Sequence, residues 1–133
     1  MTSPPFPRRH ILVVDDEPFV CDAVKMMLAF DGHSVVTANS GSEALQYLRE
    51  QKFDLVITDF AMPVMKGDAL ASKVKELDPA MPVVMITAYA EMLQSTPQAI
   101  PGVDCLISKP FLLENLRQAI AKVAPSRPTP FEA

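Results

Sequence analysis

Residues 54–67 have the sequence DLVITDFAMPVMKG, in which a short apolar run ends directly on an aspartate, Asp59. The run is brief and rich in β-branched residues, which predicts a buried strand over residues 54–58. Chemistry in parallel sheets collects at the carboxyl ends of the strands. Asp59 is therefore the first candidate functional residue.

Four more short apolar runs, at residues 11–14, 33–38, 83–87 and 105–108, predict further strands. Helical periods lie between them, at 19–30, 42–50, 68–77 and 113–123, with Pro18 suited to a first turn and Ser40 to a cap. In the first period Val20, Ala23, Val24, Met27 and Leu28 recur at helical spacing. The alternation predicts an α/β fold with a doubly wound, five-stranded parallel sheet and helices on both faces.

Prolines set the limits of this fold. Pro97 and Pro101 predict a short or irregular fourth helix, at about residues 90–95, because proline breaks a helix interior. Six of the 13 prolines lie in the two ends of the chain. We therefore expect a flexible arm over residues 1–9, one domain over 10–124 and a flexible Pro-rich tail over 125–133.

Composition narrows the class of protein. The net charge of −4 argues against nucleic-acid binding by this domain alone. No apolar run reaches the length of a membrane span, and the N-terminus has no apolar stretch of the secretory kind. The two cysteines, Cys21 and Cys105, lack metal-binding spacing and are expected as reduced thiols. These features favour the cytoplasm.

The carboxyl ends of four predicted strands carry polar side chains that would meet at one edge of the sheet. They are Asp15-Asp16-Glu17 after the first strand, Asp59 after the third, Thr87 at the fourth and Lys109 after the fifth. Crowded carboxylates repel unless a cation lies among them, and an all-oxygen set suits Mg²⁺. An aspartate can attack phosphorus while a lysine and a hydroxyl bind the phosphoryl oxygens.

Each piece also has an ordinary structural interpretation. An acidic pair before a helix often only complements the helix N-terminus. A single threonine or lysine at a strand end is more often structural or solvated than catalytic. Their joint occurrence at strand ends is the feature that favours a functional site.

The segments ILVVDDEP, DLVITDFAMPVMKG, VVMITAYA and CLISKPF resemble the response-regulator receiver domain of two-component signalling. The resemblance extends over about residues 10–124. It implies a flavodoxin-like (βα)₅ fold with strand order 2-1-3-4-5. It further implies a signalling protein that catalyses at most its own phosphorylation and dephosphorylation.

By this resemblance Asp59 is the phosphoacceptor, phosphorylated with Mg²⁺ by a histidine kinase or a histidine phosphotransfer protein. Asp15, Asp16 and Asp59 would bind the metal, together with the backbone carbonyl of Ala61. The chain would be a monomer or a weak homodimer.

The resemblance also assigns two contacts of the phosphoryl group. Thr87 would be the switch hydroxyl that moves towards it, and Lys109 would pair with it. The Lys109–Pro110 bond is expected in the cis form.

Two departures from the family pattern concern the readout. Leu106 stands where the family usually has Tyr or Phe, so the aromatic half of the switch is missing. The prolines around residues 90–101 place the usual output and dimer face in doubt. Tyr89 is either a residue that gates the site or contacts a partner, or a partly buried ring at a loop edge.

Several functions remain open on sequence alone. The chain is either a stand-alone receiver or a receiver module of a larger response regulator or hybrid kinase. An aspartyl-phosphate hydrolase is a further alternative, but that chemistry needs a second aspartate where Ala61 stands. A degenerate receiver is disfavoured because no acidic or lysine position is lost.

Overall fold

Strands and helices alternate along the chain in the computed structural model, which describes residues 8–88 and 100–123. The strands are β1 (His10–Val14), β2 (Ser34–Ala38), β3 (Leu55–Asp59), β4 (Val83–Thr87) and β5 (Cys105–Ser108). The described helices, numbered in chain order, are α1 (Pro18–Phe30), α2 (Gly41–Glu50), α3 (Gly67–Leu77) and α4 (Leu113–Val123). Every predicted element within these ranges is present, with bounds that agree to one residue. The predicted short helix at 90–95 lies outside the described residues.

All five strands pair in parallel, in the order β2-β1-β3-β4-β5. The predicted doubly wound sheet and its strand order are thereby confirmed. β1, β3 and β4 lie in the centre and are buried along almost their whole length, whereas the edge strands β2 and β5 are more exposed. This agrees with the nearly continuous apolar runs of the three central strands.

Alternate side chains of the sheet divide the interior into two hydrophobic cores. One core packs Ile11, Val13 and their neighbours against α1 and α4, and the other packs Leu12 and Val14 against α2 and α3. The division follows from the two-residue period of a strand.

α1 has clear signals at both ends. Pro18 occupies its first turn, as predicted, where the missing N–H costs no hydrogen bond. The helix ends at Phe30, and Gly32 follows with a φ of 89°, which favours glycine. The Gly32 N–H donates to Ala29 O and the His33 N–H donates to Leu28 O. Its predicted apolar face was partly wrong, since Ala23 is exposed and the buried residues are Cys21, Val24 and Leu28.

No helix in the described ranges is long and apolar enough to cross a bilayer.

His33 lies buried at the opposite end of the sheet from the candidate site. Its Nδ1 accepts a hydrogen bond from the Arg9 backbone N–H at 3.1 Å, so this nitrogen carries no proton. Burial lowers the pKa of His33 below its usual 6.5, and Arg9 adds to the effect while Asp31 opposes it. The folded state therefore favours the neutral imidazole.

We expect the folded state to lose stability as the pH falls below about 6.5, because the unfolded chain then takes up a proton that the folded His33 resists. The His33→Asn variant keeps an acceptor near the Nδ1 position and cannot titrate. Thermal unfolding between about pH 7.5 and about pH 5.5 should show a smaller decrease in Tm for the variant than for the wild type. An equal decrease in both proteins would contradict the assignment.

Candidate functional site

Three carboxylates meet at the carboxyl edge of the sheet. One oxygen from each of Asp15, Asp16 and Asp59 can be chosen so that all lie within 4.8 Å of one another. Pairing of β1 with β3 produces this proximity, because Asp15 and Asp16 follow β1 directly and Asp59 is the last residue of β3. Asp15 and Asp59 are buried, 5% and 7% exposed, and Asp16 is the most exposed of the three.

Lys109 supplies positive charge to this cluster. Its Nζ lies 2.6 Å from Asp59 Oδ1, in an ion pair whose lysine side chain is one-third exposed. Burial alone would lower the pKa of Lys109, but the hydrogen bond and the charge of Asp59 raise it above its usual value. Lys109 therefore stays protonated.

The surroundings of Asp15 raise the pKa of its carboxyl group. Burial is the largest cause that raises its pKa to about 6, and the charges of Asp59 and Asp16 raise it further. The Glu17 backbone N–H, which donates to Asp15 Oδ1 at 2.9 Å, and the charge of Lys109 act in the opposite direction. One ammonium group thus does not balance three carboxylates, and the site favours an added cation.

The donor set fits Mg²⁺. All the candidate side-chain ligands are carboxylate oxygens, which this hard ion prefers over nitrogen or sulfur. Their number leaves room for bound water, as Mg²⁺ usually requires. Ala61, the predicted source of a carbonyl ligand, lies exposed in the loop between β3 and α3.

Thr87 and Lys109 come to the same edge through the pairing of β4 with β5. Thr87 is the last residue of β4 and is only 2% exposed. It comes directly after Ile86, the residue that pairs with Asp59 on β3. The Lys109 backbone N–H donates to Thr87 O at 3.0 Å. The Lys109–Pro110 peptide bond is cis, as predicted.

Backbone hydrogen bonds fix both ends of the loop between β3 and α3. The Phe60 N–H donates to Ile86 O at 3.1 Å, and the Gly67 N–H donates to Phe60 O at 2.9 Å. Between them Val64 adopts a φ of 67°, which is rare for a β-branched residue and costs on the order of 1–3 kcal/mol. Strain of this kind is common beside functional sites.

Asn39 is a site residue that the sequence interpretation missed. Its Nδ2 donates to the Asp15 carbonyl at 3.1 Å, and the Cys21 thiol donates to the same oxygen at 3.4 Å. These bonds anchor the backbone that carries the acidic pair. The signal was available, because Asn39 directly follows β2, the one strand whose carboxyl end was not considered.

Leu106 and Tyr89 are the two residues that the sequence analysis connected with the readout. Leu106 is half-buried on β5 and lines a groove of about 370 Å³ between β5 and α4. Tyr89 lies outside the described residues.

Comparison with known proteins agrees with this geometry. Residues 11–121 match the family model of the response regulator receiver domain. The transcriptional regulatory protein GlrR of Escherichia coli (strain K12) is 38% identical over 111 residues, which are 84% of this chain and 25% of that protein. The chain thus spans about a quarter of the length of this relative.

Two solved structures are similar over almost their whole length. The response regulator protein TrrA from Thermotoga maritima, in complex with Mg²⁺-BeF, has a TM-score of 0.78 at 30% identity over 86% of this chain and 98% of that one. A response regulator receiver domain protein from Clostridium thermocellum has the same TM-score and identity, over 86% of this chain and 93% of that one.

The fit of Gly67 against the site yields a prediction. A Cβ at Gly67 would overlap with the backbone carbonyl oxygen of Asp59 and lie 3.0 Å from Phe60 Cα, so Gly67→Ala must displace the end of β3. We expect it to lower the free energy of unfolding by about 2 kcal/mol, as overpacking does. Gly41→Ala is the matched control, because its Cβ meets only the flexible Met65 side chain.

Denaturant unfolding of the two variants tests this fit. Gly41→Ala should lose less than about 1 kcal/mol, because a thioether side chain can rotate away. If Gly67→Ala loses as little stability as Gly41→Ala, the backbone of Asp59 can move away from Gly67 and the contact is not rigid.

Proposed function

The chain belongs to the response regulator receiver domain family, and on that premise we propose that Asp59 accepts a phosphoryl group from a phosphohistidine of a partner protein. The family is a signalling module, so the modification changes protein contacts rather than turning over an external substrate. The convergence of Asp15, Asp16 and Lys109 on Asp59 is the observation that carries the proposal.

Asp59 suits the role of nucleophile. Lys109 holds Oδ1, which orients the carboxylate and leaves Oδ2 for bond formation. Oδ2 attacks phosphorus as the bond from phosphorus to the histidine nitrogen breaks, and the electron pair of that bond returns to the imidazole. The product is an acyl phosphate on Asp59.

Lys109 has a second part in this step. When the phosphoryl group is on Asp59, the ammonium group can contact one of its oxygens and offset its charge. We expect Thr87, at the end of the neighbouring strand, to donate its hydroxyl to another phosphoryl oxygen. Burial of both Thr87 and Asp59 limits the access of water and strengthens these interactions.

Asp15, Asp16 and Asp59, with the Ala61 carbonyl, are the proposed Mg²⁺ ligands. When bound there, the ion would neutralise negative charge on the carboxylates and on the phosphoryl group. Asn39 supports this set by anchoring the Asp15 backbone, and the Glu17 N–H fixes one oxygen of the Asp15 side chain.

The readout differs from the usual aromatic switch. Leu106 occupies the aromatic position, so a shift of Thr87 must be transmitted through aliphatic packing along β5. Leu106 also lines the groove between β5 and α4, together with Ser108 and Gln118. We propose that phosphorylation alters binding at this groove.

Partners follow from the family. The donor is a histidine kinase or a histidine phosphotransfer protein, and the downstream target is a protein. GlrR is a transcriptional regulator of about four times the matched length, so a receiver within a larger regulator is as consistent with the similarity as a stand-alone one. Location in the cytoplasm stays a prediction.

Phosphorylation of Asp59 is tested by intact mass. The protein is incubated with Mg²⁺ and a small phosphodonor such as acetyl phosphate. Wild type should gain one acid-labile phosphoryl group, and Asp59→Asn should gain none because an amide cannot form the acyl phosphate. Asp54→Asn is the matched control, since Asp54 lies at the opposite end of β3 and should leave the adduct unchanged.

No adduct on wild type, or the same adduct on Asp59→Asn, would refute the assignment of the phosphoacceptor.

The metal site is tested by ligand-induced stabilisation. A ligand that binds only the folded state raises Tm, and Mg²⁺ at about 100 times its dissociation constant stabilises by about 2.7 kcal/mol. Asp16→Ala should abolish the Mg²⁺-dependent rise in Tm. Glu17→Ala removes a neighbouring exposed carboxylate outside the cluster and should keep it. An unchanged rise in Asp16→Ala would remove this residue from the proposed ligand set.

A further inference from the structure

Thr58 places a hydroxyl group inside the protein, directly before Asp59 on β3. The residue is fully buried, with an exposure of 0%. Its register partner on β1 is Val14, so the Thr58 side chain lies on the face of the sheet that packs against α2 and α3. Valine has nearly the same shape and buries no polar atom, and a buried hydroxyl costs free energy unless it is hydrogen-bonded. The hydroxyl at this position therefore has a reason other than packing.

The Thr58 hydroxyl bonds to the backbone of the neighbouring residue. Its Oγ1 donates to the carbonyl oxygen of Asp59 at 2.9 Å. In the same peptide unit the Phe60 N–H donates to Ile86 O on β4, so the carbonyl group of Asp59 points the opposite way, towards β1. β1 has ended at this level, because Val14 and Thr58 are its last pair with β3. The hydroxyl thus supplies a hydrogen bond where the backbone ladder stops.

α3 encloses the same carbonyl oxygen from another side. A Cβ added at Gly67 would overlap with Asp59 O, so the start of α3 lies directly against this atom. The Gly67 N–H donates to the next carbonyl along the chain, Phe60 O, at 2.9 Å. Two successive carbonyl groups are therefore held in place. The third in the series is the carbonyl of Ala61, the proposed backbone ligand of Mg²⁺.

The strand end that carries Asp15 has a similar arrangement. The Asp15 carbonyl accepts hydrogen bonds from the Asn39 amide at 3.1 Å and from the Cys21 thiol at 3.4 Å. Cys21 is buried in the core that packs against α1 and α4, whereas Thr58 lies on the opposite face of the sheet. Side chains on both faces thus hold the backbone carbonyl groups of the two buried carboxylate residues. The recurrence at both strand ends favours a role in the site between them.

We propose that Thr58 is a positioning residue for the Mg²⁺ and phosphorylation site, an inference that rests on the function proposed above. The hydroxyl of Thr58 fixes the peptide unit between Asp59 and Phe60. Through this unit it sets the direction of the Asp59 carboxylate and the path of the chain to the Ala61 carbonyl. Thr58 acts through the backbone and not by contact with the ion.

Three variants separate the effect of the hydroxyl from the effect of side-chain shape. Thr58→Val keeps the branched shape and removes the donor, whereas Thr58→Ser keeps the donor and removes a buried methyl group. Val83→Ala is the matched control for loss of stability. Val83 is the first residue of β4, is buried in the core against α2 and α3, and lies at the opposite end of the sheet from Asp59.

Mg²⁺ binding is measured first, without a phosphodonor, as the dissociation constant that follows from the rise of Tm with Mg²⁺ concentration. Thr58→Val should raise this constant about ten-fold, as the loss of a group behind a metal ligand does. Thr58→Ser and Val83→Ala should keep it within about two-fold of wild type, although both lower the Tm without Mg²⁺ by removing buried methyl groups.

The rate of phosphorylation gives a second readout. Acetyl phosphate is the donor, and the adduct on Asp59 is followed by intact mass at a series of Mg²⁺ concentrations. The Mg²⁺ concentration for half of the maximal rate should rise about ten-fold in Thr58→Val and stay unchanged in Thr58→Ser and Val83→Ala.

The outcomes distinguish a positioning role from a purely structural one. If the Mg²⁺ dissociation constant follows Tm across the three variants and not the presence of the hydroxyl, Thr58 only supports the fold and the proposal is overturned. An unchanged constant in Thr58→Val overturns it too.

Failure of the proposed function gives a different result. A wild type that binds Mg²⁺ and gains no phosphoryl group would refute Asp59 as phosphoacceptor, while the Tm measurements would still decide the effect of Thr58 on the metal site. A wild type whose Tm does not rise with Mg²⁺ would overturn both the metal site and the role of Thr58.

Discussion

Parallel pairing of β1 with β3 brings two buried carboxylates together, and the chemistry of the molecule depends on that contact. Asp15 directly follows β1 and Asp59 is the last residue of β3, and both strands are covered on both faces by helices. Parallel strands direct all their carboxyl ends to one edge, so the backbone positions of both residues are fixed by the pairing of the strands. The repulsion is therefore built into the fold.

The other parts of the site can be understood as responses to this repulsion. Lys109 neutralises part of the charge through Asp59, and the pKa of Asp15 is raised mainly by burial, with the charges of Asp59 and Asp16 adding to the effect. In the proposed function, a divalent cation would add positive charge to this balance, and a phosphoryl group on Asp59 would add negative charge. Backbone contacts at Asn39 and Gly67 hold the strand ends in place while the charges change.

Elements and site residues differ in how far the sequence predicted them. The bounds of the strands and helices were predicted to within one residue, because the period of the apolar residues, Pro18 and Ser40 are local signals. Ser40, for example, accepts the capping hydrogen bond from the Glu43 N–H. The acidic cluster was predictable because strand ends converge in any parallel sheet. Asn39 was missed because the carboxyl end of β2 was not considered, although its hydrogen bond to a backbone carbonyl in another loop leaves no periodic signal of its own. Val64 was missed because nothing in its residue type indicates a positive φ.

By itself, the sequence determined the parallel sheet, the order of its elements and the set of side chains that meet at its edge. Those properties follow from residue type and spacing along the chain. Only the tertiary structure decided which face of α1 is buried, since the apolar residues of this helix lie on all its sides and their period fits two faces. It also decided that Lys109 pairs with Asp59 and that Asp15 is the carboxyl group whose pKa rises, because distance and burial depend on packing between segments remote in sequence.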